Sequence, residues 1–491
     1  MSNGSKGTIA QEEGPKSIKD ILVPLIAIII GLFMVILDNT AVNVALPKLV
    51  EEFNSSLTVL QWTVTGYMLA QAAVIPLAGW LSDRFGAKRI FLISVGMFTV
   101  GSLLCAIASD PAQLIVFRIL QGFGGGMVMP IAMAFTYRLA PPNMVGAVMG
   151  MMGIPILLAP ALGPVLAGWL VDFASWNWIF IINLPIGIIG VFIGIRYLPK
   201  IDRQQVASLD VWGMILGPLA FAALVYGVSE GAQSWTSLET ILGTSIGVVS
   251  LILFITVELR QPQPMLELRV FRSFDFTRAI IIQWITTVGL FGTIFLIPLF
   301  LQQAKGYSAF DTGLIMLPQA LAAAIFMPIS GKLFDRIGAR PLVMIGMGLI
   351  AVAAFLFSQI TATDGISMLM APLALLGAGM GLCMMPLNTH IIQASPQNLV
   401  GRVTSLTNAT QLVVSSFAIA ALASYLVNHM SDYMADDNTI TNVEAFAMAF
   451  GDTFLIIVGI SILGAILGLM LTKPKVVEGA AKPTEPSMMV G

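Results

Sequence analysis

Gly79-Trp-Leu-Ser-Asp-Arg-Phe-Gly-Ala-Lys-Arg89 occurs again, 252 residues on, as Gly331-Lys-Leu-Phe-Asp-Arg-Ile-Gly-Ala-Arg340. Each copy follows one long apolar run and precedes another, so it reads as a short charged turn between two apolar helices. A second echo, at an offset of 256, sets Arg118-Ile-Leu-Gln-Gly-Phe-Gly-Gly-Gly-Met-Val-Met-Pro130 against Ala374-Leu-Leu-Gly-Ala-Gly-Met-Gly-Leu-Cys-Met-Met-Pro386. Two echoes in the same order at nearly the same offset mark a duplicated unit. Its size follows from counting the apolar runs around it.

A helix that crosses a bilayer needs about 20 mostly apolar residues. Fourteen runs qualify, at 21–46, 60–82, 89–109, 112–136, 144–170, 176–198, 209–229, 237–257, 276–303, 310–333, 341–361, 366–393, 403–427 and 451–472. Composition agrees, since the chain is 57% hydrophobic and 10% charged, against about 25% charged in a soluble protein. So few charges cannot cover a water-facing surface, and most of the outside must face lipid. The run from Ile21 is longer than the roughly 7–15 residues of a signal-peptide core, so it reads as a first span kept in the mature protein. The net charge of -2 leaves no electrostatic footprint for nucleic acid. Cys105 and Cys383 lie inside apolar runs and read as small core hydrophobes, not as a disulfide or zinc site. Neither a phosphate-binding Gly-x-x-x-x-Gly-Lys-Ser/Thr loop nor a His-Glu-x-x-His pattern occurs. Neither ATP, a metal nor an enzymatic reaction is expected.

Lys and Arg collect on the cytoplasmic side of membrane proteins. With both termini inside, 21 of the 24 basic residues fall in cytoplasmic segments, while Lys48 and Lys305 fall outside and Arg118 lies within a span. A miscounted span would invert the later loops and spoil this bias. It therefore supports fourteen spans as well as their direction, and the protein's size and tails point to a plasma (inner) membrane. The longest external loop, 428–450, holds four acids and no Lys or Arg. Spans 1–6 and 9–14 are then two copies of one six-helix unit, and spans 7 and 8 are an insert. The expected organisation is a cytoplasmic tail at 1–20, a six-helix bundle at 21–200, a two-helix insert at 201–260, a second six-helix bundle at 261–472 and a cytoplasmic tail at 473–491. Duplicated bundles suit alternating access, in which one half rocks against the other around a site near the midplane. A channel or a membrane enzyme has less need of such a pair.

The motifs themselves carry a family resemblance that covers the whole chain. Gly79, Asp83, Arg84, Gly86, Lys88 and Arg89 resemble the loop between helices 2 and 3 of the major facilitator superfamily. Leu37-Asp-Asn-Thr-Ala-Val-Asn-Val-Ala-Leu-Pro47 resembles the first-helix segment of its fourteen-helix drug/proton antiporters. Gly163-Pro-Val-Leu-Ala-Gly168 is similar to their antiporter motif, and Trp176-Asn-Trp-Ile-Phe-Ile-Ile-Asn-Leu-Pro-Ile-Gly187 to the sixth-helix segment of the EmrB/QacA-type subfamily. The antiporter motif often ends in two glycines, where this chain has Ala167 before Gly168. The second copy of the turn keeps Asp335, Arg336 and Gly338 but is otherwise looser. The resemblance implies a major facilitator fold, all-α, with fourteen transmembrane helices, driven by a proton gradient. It specifies the subfamily far better than the substrate.

Asp38 is the only acid well inside a span, 17 residues into the first, or roughly 26 Å along a helix. An unpaired carboxylate there is costly, so it must shift its protonation or find a partner. A carboxyl that opens alternately to each side is what proton coupling requires. The resemblance implies that role, or recognition of a cation; the plain alternative is a structural carboxyl capped by neighbouring Asn or Thr. Arg118 is the only base well inside a span, with Gln121, Gly122 and Gly125 following on its face. It cannot deprotonate, so it tunes an acid, holds a carbonyl, or is a paired structural arginine; the resemblance implies a part in proton transfer. Ala159, Gly163 and Ala167 make a strip of small residues for close helix approach, while Pro155, Pro160 and Pro164 favour a kink. Pro160, Gly163, Pro164 and Gly168 would seal the pathway in one state or simply pack tightly. Gly86 permits a tight turn. The resemblance implies that Asp83 is a latch on the cytoplasmic side, against the alternative that the turn's basic residues only anchor topology. Asn43, Gln71, Gln121, Gln283, Gln319, Asn388 and Gln411 are polar groups in apolar spans that line a cavity or satisfy helix–helix hydrogen bonds.

The reading that follows is proton-driven export of small hydrophobic, often cationic compounds from the cell membrane, with protons and membrane lipid as the other partners. A dedicated exporter of an endogenous metabolite or lipid is the alternative within transport. A sensor or scaffold without flux is the alternative outside it, and such proteins tend to carry large soluble domains that this chain lacks. A periplasmic adaptor is left open.

Overall fold

The computed structural model describes residues 18–55, 57–200, 211–231, 234–261, 264, 266–396, 399–436 and 441–471. Apart from residues 18–20, the two expected tails lie outside the described residues. All regular structure among the described residues is helical. The helices are α1 (Ile18–Glu52), α2 (Leu57–Phe85), α3 (Ala87–Ala106), α4 (Pro111–Leu139), α5 (Val145–Phe173), α6 (Trp178–Ile181), α7 (Asn183–Tyr197), α8 (Val211–Gly231) and α9 (Leu238–Arg260). After a short turn of 3-10 helix at Leu268–Arg272 come α10 (Phe274–Gln303), α11 (Ala309–Ile315), α12 (Leu317–Ile337), α13 (Ala339–Ser358), α14 (Ile366–Gln393), α15 (Val400–Asp436) and α16 (Asn442–Gly468).

Among the described residues, thirteen stretches are long and apolar enough to cross a membrane, and α5, at 29 residues, makes the fourteenth. Each expected span is thus a helix. The sixth and tenth differ in being broken into α6 with α7 and α11 with α12. The break residues Ile182 and Met316 keep right-handed helical dihedrals, so the ladder of hydrogen bonds is interrupted and not the path. Pro185 and Pro318 explain this, since each lacks the N–H that would bond back across the break. α5 continues unbroken through Pro155, Pro160 and Pro164.

Side chains cap the starts of two of the helices. Asp110 accepts a hydrogen bond from the Gln113 N–H at the start of α4, and Thr441 forms a reciprocal capping box with Glu444 at the start of α16. Both copies of the duplicated turn hinge on glycine. Gly86 has φ 95° and Gly338 φ 79°, a region that a Cβ penalises. Large apolar side chains cover the outside, among them Ile188, Phe192, Trp212 and Leu238, as a lipid-facing surface demands.

Glycine contacts draw the helices together where the two halves of the chain meet. A Cβ at Gly79 of α2 would lie 2.4 Å from the carbonyl oxygen of Gly401 in α15, and one at Gly331 of α12 would lie 2.2 Å from that of Gly146 in α5. Only small residues permit such approach. The α8–α9 hairpin packs through α8 on both α2 and α15. At the end of the bundle away from the two turns, Tyr226 of α8 stacks on Trp62 of α2 at 6.1 Å. There the indole N–H of Trp235 donates to the Ser424 hydroxyl of α15 at 2.9 Å.

Candidate functional site

Asp38 and Arg118 come together. α1 carries the acid, α4 the base, and Arg118 Nη1 donates to Asp38 Oδ2 at 2.6 Å with both side chains fully shielded from solvent. Taking two charges out of water costs several kcal/mol per ion unless every lone pair and proton finds a partner. Here most of the partners are supplied, Arg118 Nη2 alone of the pair's polar atoms lacking one among the described residues. Asp38 Oδ1 accepts from the amides of Gln121 at 3.1 Å and Asn183 at 2.7 Å. Arg118 also donates through Nη1 to Gln121 Oε1 at 2.6 Å and through Nε to the Thr63 carbonyl at 3.2 Å. The Ser102 hydroxyl accepts from Gln121 at 2.6 Å and from Asn183 at 3.2 Å. The Tyr67 ring lies 4.0 Å from the guanidinium carbon, close enough for a cation–π contact.

The partner that sequence reasoning required for Asp38 is therefore Arg118. Gln121, expected to line a cavity or to satisfy a helix–helix hydrogen bond, is fully buried within this cluster, its amide nitrogen donating to both Asp38 and Ser102. Asn183, Ser102 and Tyr67 were not singled out from the sequence. A lone Asn or Ser in an apolar span was the only available signal, and it does not name its partner.

Gly163 places α5 against this cluster: a Cβ there would meet Thr40, two residues beyond Asp38, at 2.0 Å from its hydroxyl oxygen. Ala159 and Ala167 are buried on the same strip, whereas a Cβ at Gly168 would meet nothing closer than Phe310 at 3.8 Å. The side chains of Asn43, Pro160 and Pro164 lie outside the described residues. Of the other polar candidates, Gln283 donates to Asn388 at 2.7 Å and Gln319 faces the Met380 sulfur at 3.4 Å. Gln71, Asn388 and Gln411 are half-buried.

At the turns, Asp83 is buried between two arginines. Arg138 at the end of α4 reaches it at 3.2 Å and Arg402 at the start of α15 at 3.7 Å. Asp335, at the matching place in the second turn, accepts the backbone N–H groups of Gly146 at 2.8 Å and Ala147 at 3.0 Å in the first turn of α5. Lys88 closes the end of α7, donating to the carbonyls of Ile195 at 2.8 Å and Leu198 at 2.6 Å. Arg84 and Arg89 are exposed.

Residues 28–420 match the family model described as Major Facilitator Superfamily. A Multidrug resistance protein B homolog of Mycobacterium tuberculosis is 37% identical over 80% of this chain and 74% of its own. The Lincomycin resistance protein LmrB of Bacillus subtilis is 29% identical over 92% of this chain and 96% of its own. The Multidrug transporter protein MdtP of the same organism is 30% identical over 88% and 80%. Among solved structures, the human organic anion transporter MFSD10 (TETRAN) superposes with a TM-score of 0.64 at 14% identity, over 90% of this chain and 99% of that one.

Proposed function

The chain belongs to the Major Facilitator Superfamily of membrane transporters, and we propose that it exports hydrophobic, often cationic compounds in exchange for protons by alternating access. The observation that carries this is the sealed ion pair of Asp38 and Arg118, in a chain whose relatives include proteins named for multidrug transport and resistance. A proton bound by Asp38 removes the negative member of the pair. Arg118 cannot give up its own proton and is left as a buried, uncompensated charge. Breaking a buried pair costs about 3–5 kcal/mol. Moving a two-state equilibrium from 1:99 to 99:1 takes about 5.5 kcal/mol. Protonation of this one carboxyl is thus of the right size to drive most of a conformational switch.

The switch has its moving parts in the two turns. The bundles at 21–200 and 261–472 rock against each other, with the hairpin at 201–260 beside them. Asp83 on Arg402, and Asp335 on the first turn of α5, hold the turn-bearing side shut and release when that side opens. The bias of Lys and Arg puts this side, and both termini, in the cytoplasm. Small amphipathic cations are the substrates.

Efflux of ethidium from energised cells tests the reading, comparing wild type with Asp38→Asn, with and without an uncoupler. Wild type should expel the dye, the uncoupler should stop it, and Asp38→Asn should be silent at normal expression. Dye export indifferent to both the uncoupler and the substitution removes Asp38 and the proton from the mechanism. No export of any dye in a broad panel leaves a dedicated metabolite or lipid as the cargo.

A further inference from the structure

The ion pair of Asp38 and Arg118 is closed to solvent, so a driving proton needs a path to it. One turn of α2 offers that path. Tyr67 is fully buried against Arg118, and its hydroxyl has no hydrogen-bond partner among the described residues. Gln71, one turn along the same helix, is half-buried. Gly125 of α4 stands between the two. A Cβ at Gly125 would lie 2.9 Å from Tyr67 Oη, 3.2 Å from Phe98 Cδ2 and 3.3 Å from Gln71 Nε2. Tyr67 Oη and Gln71 Nε2 are therefore no farther apart than the sum of two of these distances, 6.2 Å, yet no direct hydrogen bond joins them.

One water, its two hydrogen bonds meeting at roughly a tetrahedral angle, bridges groups about 4.5–5 Å apart, inside that bound. A buried water needs two to four polar partners, and the phenol and the amide supply two. At the inner end, Arg118 Nη2 and Asn183 Oδ1 are also without partners among the described residues, so polar groups continue toward Asp38. A methyl group at Gly125 would press on both groups, 2.9 Å from the hydroxyl and 3.3 Å from the amide, and displace any water held between them. The ionisable groups acting on Tyr67 are Asp38 of α1, Arg118 of α4 and Cys105 of α3.

We propose that Tyr67, Gln71 and Gly125 hold a file of water through which the driving proton reaches Asp38. The inference rests on the proton-coupled export proposed above. A proton entering beside Gln71 forms an O–H bond on the first water as each water passes one of its own inward. The last transfer makes the O–H bond on Asp38 and ends its ion pair with Arg118, which keeps all its protons. Release reverses these bonds. Tyr67 and Gln71 are positioning residues: they orient the water and hold no cargo.

The test uses the full chain in proteoliposomes with ethidium as substrate and an internal pH dye. Two rates are read: ethidium transport driven by an imposed pH gradient, and exchange of ethidium across the membrane with no gradient. Tyr67→Phe, which keeps the ring on Arg118 and deletes only the hydroxyl, should lower proton-driven transport at least tenfold while ethidium exchange continues. Gly125→Ala should do the same. Wild-type proton flux in both variants overturns the water file. An equal fall of exchange and of driven transport also overturns it, because packing alone would then explain both residues. A wild type that moves ethidium without moving protons defeats the export reading itself, and is told apart by failing before any substitution is made.

Discussion

Asp83 and Asp335 stand 252 residues apart at equivalent places in the duplicated turn, and each meets the first turn of a helix from the opposite end of the sequence. Asp83 meets the start of α15 and is buried there between the side chains of Arg138 and Arg402. Asp335 meets the start of α5, is exposed, and takes two backbone N–H groups instead of an arginine. Duplication fixed where the carboxylate sits; burial decided how its charge is met. A shielded carboxylate needs full opposite charges close by. One in contact with water is served by free amides and the partial positive charge at a helix start.

The largest consequence is in the first turn. Asp83→Ala leaves Arg402 buried against α2 without its acid. With Arg138 partly open to water, the expected cost to the closed arrangement is about 2–3 kcal/mol, below the range for a fully buried pair. A cysteine at Ser405, buried where α2 meets α15, should then react with a thiol reagent more than tenfold faster. An unchanged rate would mean that the arginines do not hold this contact. Next come the hinge glycines. Gly86→Ala and Gly338→Ala each force a Cβ into left-handed backbone, at roughly 1–2 kcal/mol. Thermal unfolding should fall by a similar amount for both, because the two φ values are alike; a marked inequality would show that the turns are not equivalent after all. Asp335→Asn comes third. An amide oxygen still accepts one of the two N–H groups, so the loss should stay under about 1 kcal/mol, visible as a small drop in melting temperature and no change at Ser405. If it matched Asp83→Ala, the contrast between the turns would collapse.

The smallest effect lies far from both turns. Asp364 accepts the backbone N–H of Thr361 at 2.7 Å, which holds its carboxyl below the ordinary 3.8, helped by the Thr361 hydroxyl. A lowered carboxyl contributes stability above its unfolded value and loses it as pH falls through the folded one. Asp364→Asn should therefore lower the melting temperature slightly at neutral pH and converge with wild type as pH falls below about 4.

Much of this architecture could be read in advance. Length and apolarity locate spans because a bilayer has a set thickness, and the repeated Asp-Arg-x-Gly located both turns before any contact was known. Asp38 and Arg118 were visible because charge in an apolar span is rare. Their pairing was not, since the two lie 80 residues apart and helical periodicity is a weak guide when the outside of the bundle is as apolar as its core. Gln121 illustrates the limit. A glutamine reads the same in sequence whether it faces a cavity or holds a carboxylate. Arg402 was seen only as one more positive charge on a loop, and Asn183 only as part of a family segment, because each acts through helices distant in the chain.

The α8–α9 hairpin carries a consequence of parity. It crosses the bilayer twice and returns the chain to the side it left, so every later span keeps its direction with or without it. A single added helix would have turned the rest of the molecule inside out and separated Asp335 from the helix start it caps. An even number of crossings is thus neutral to the orientation of everything that follows, and the contacts at Trp62 and Trp235 fasten the hairpin to α2 and α15.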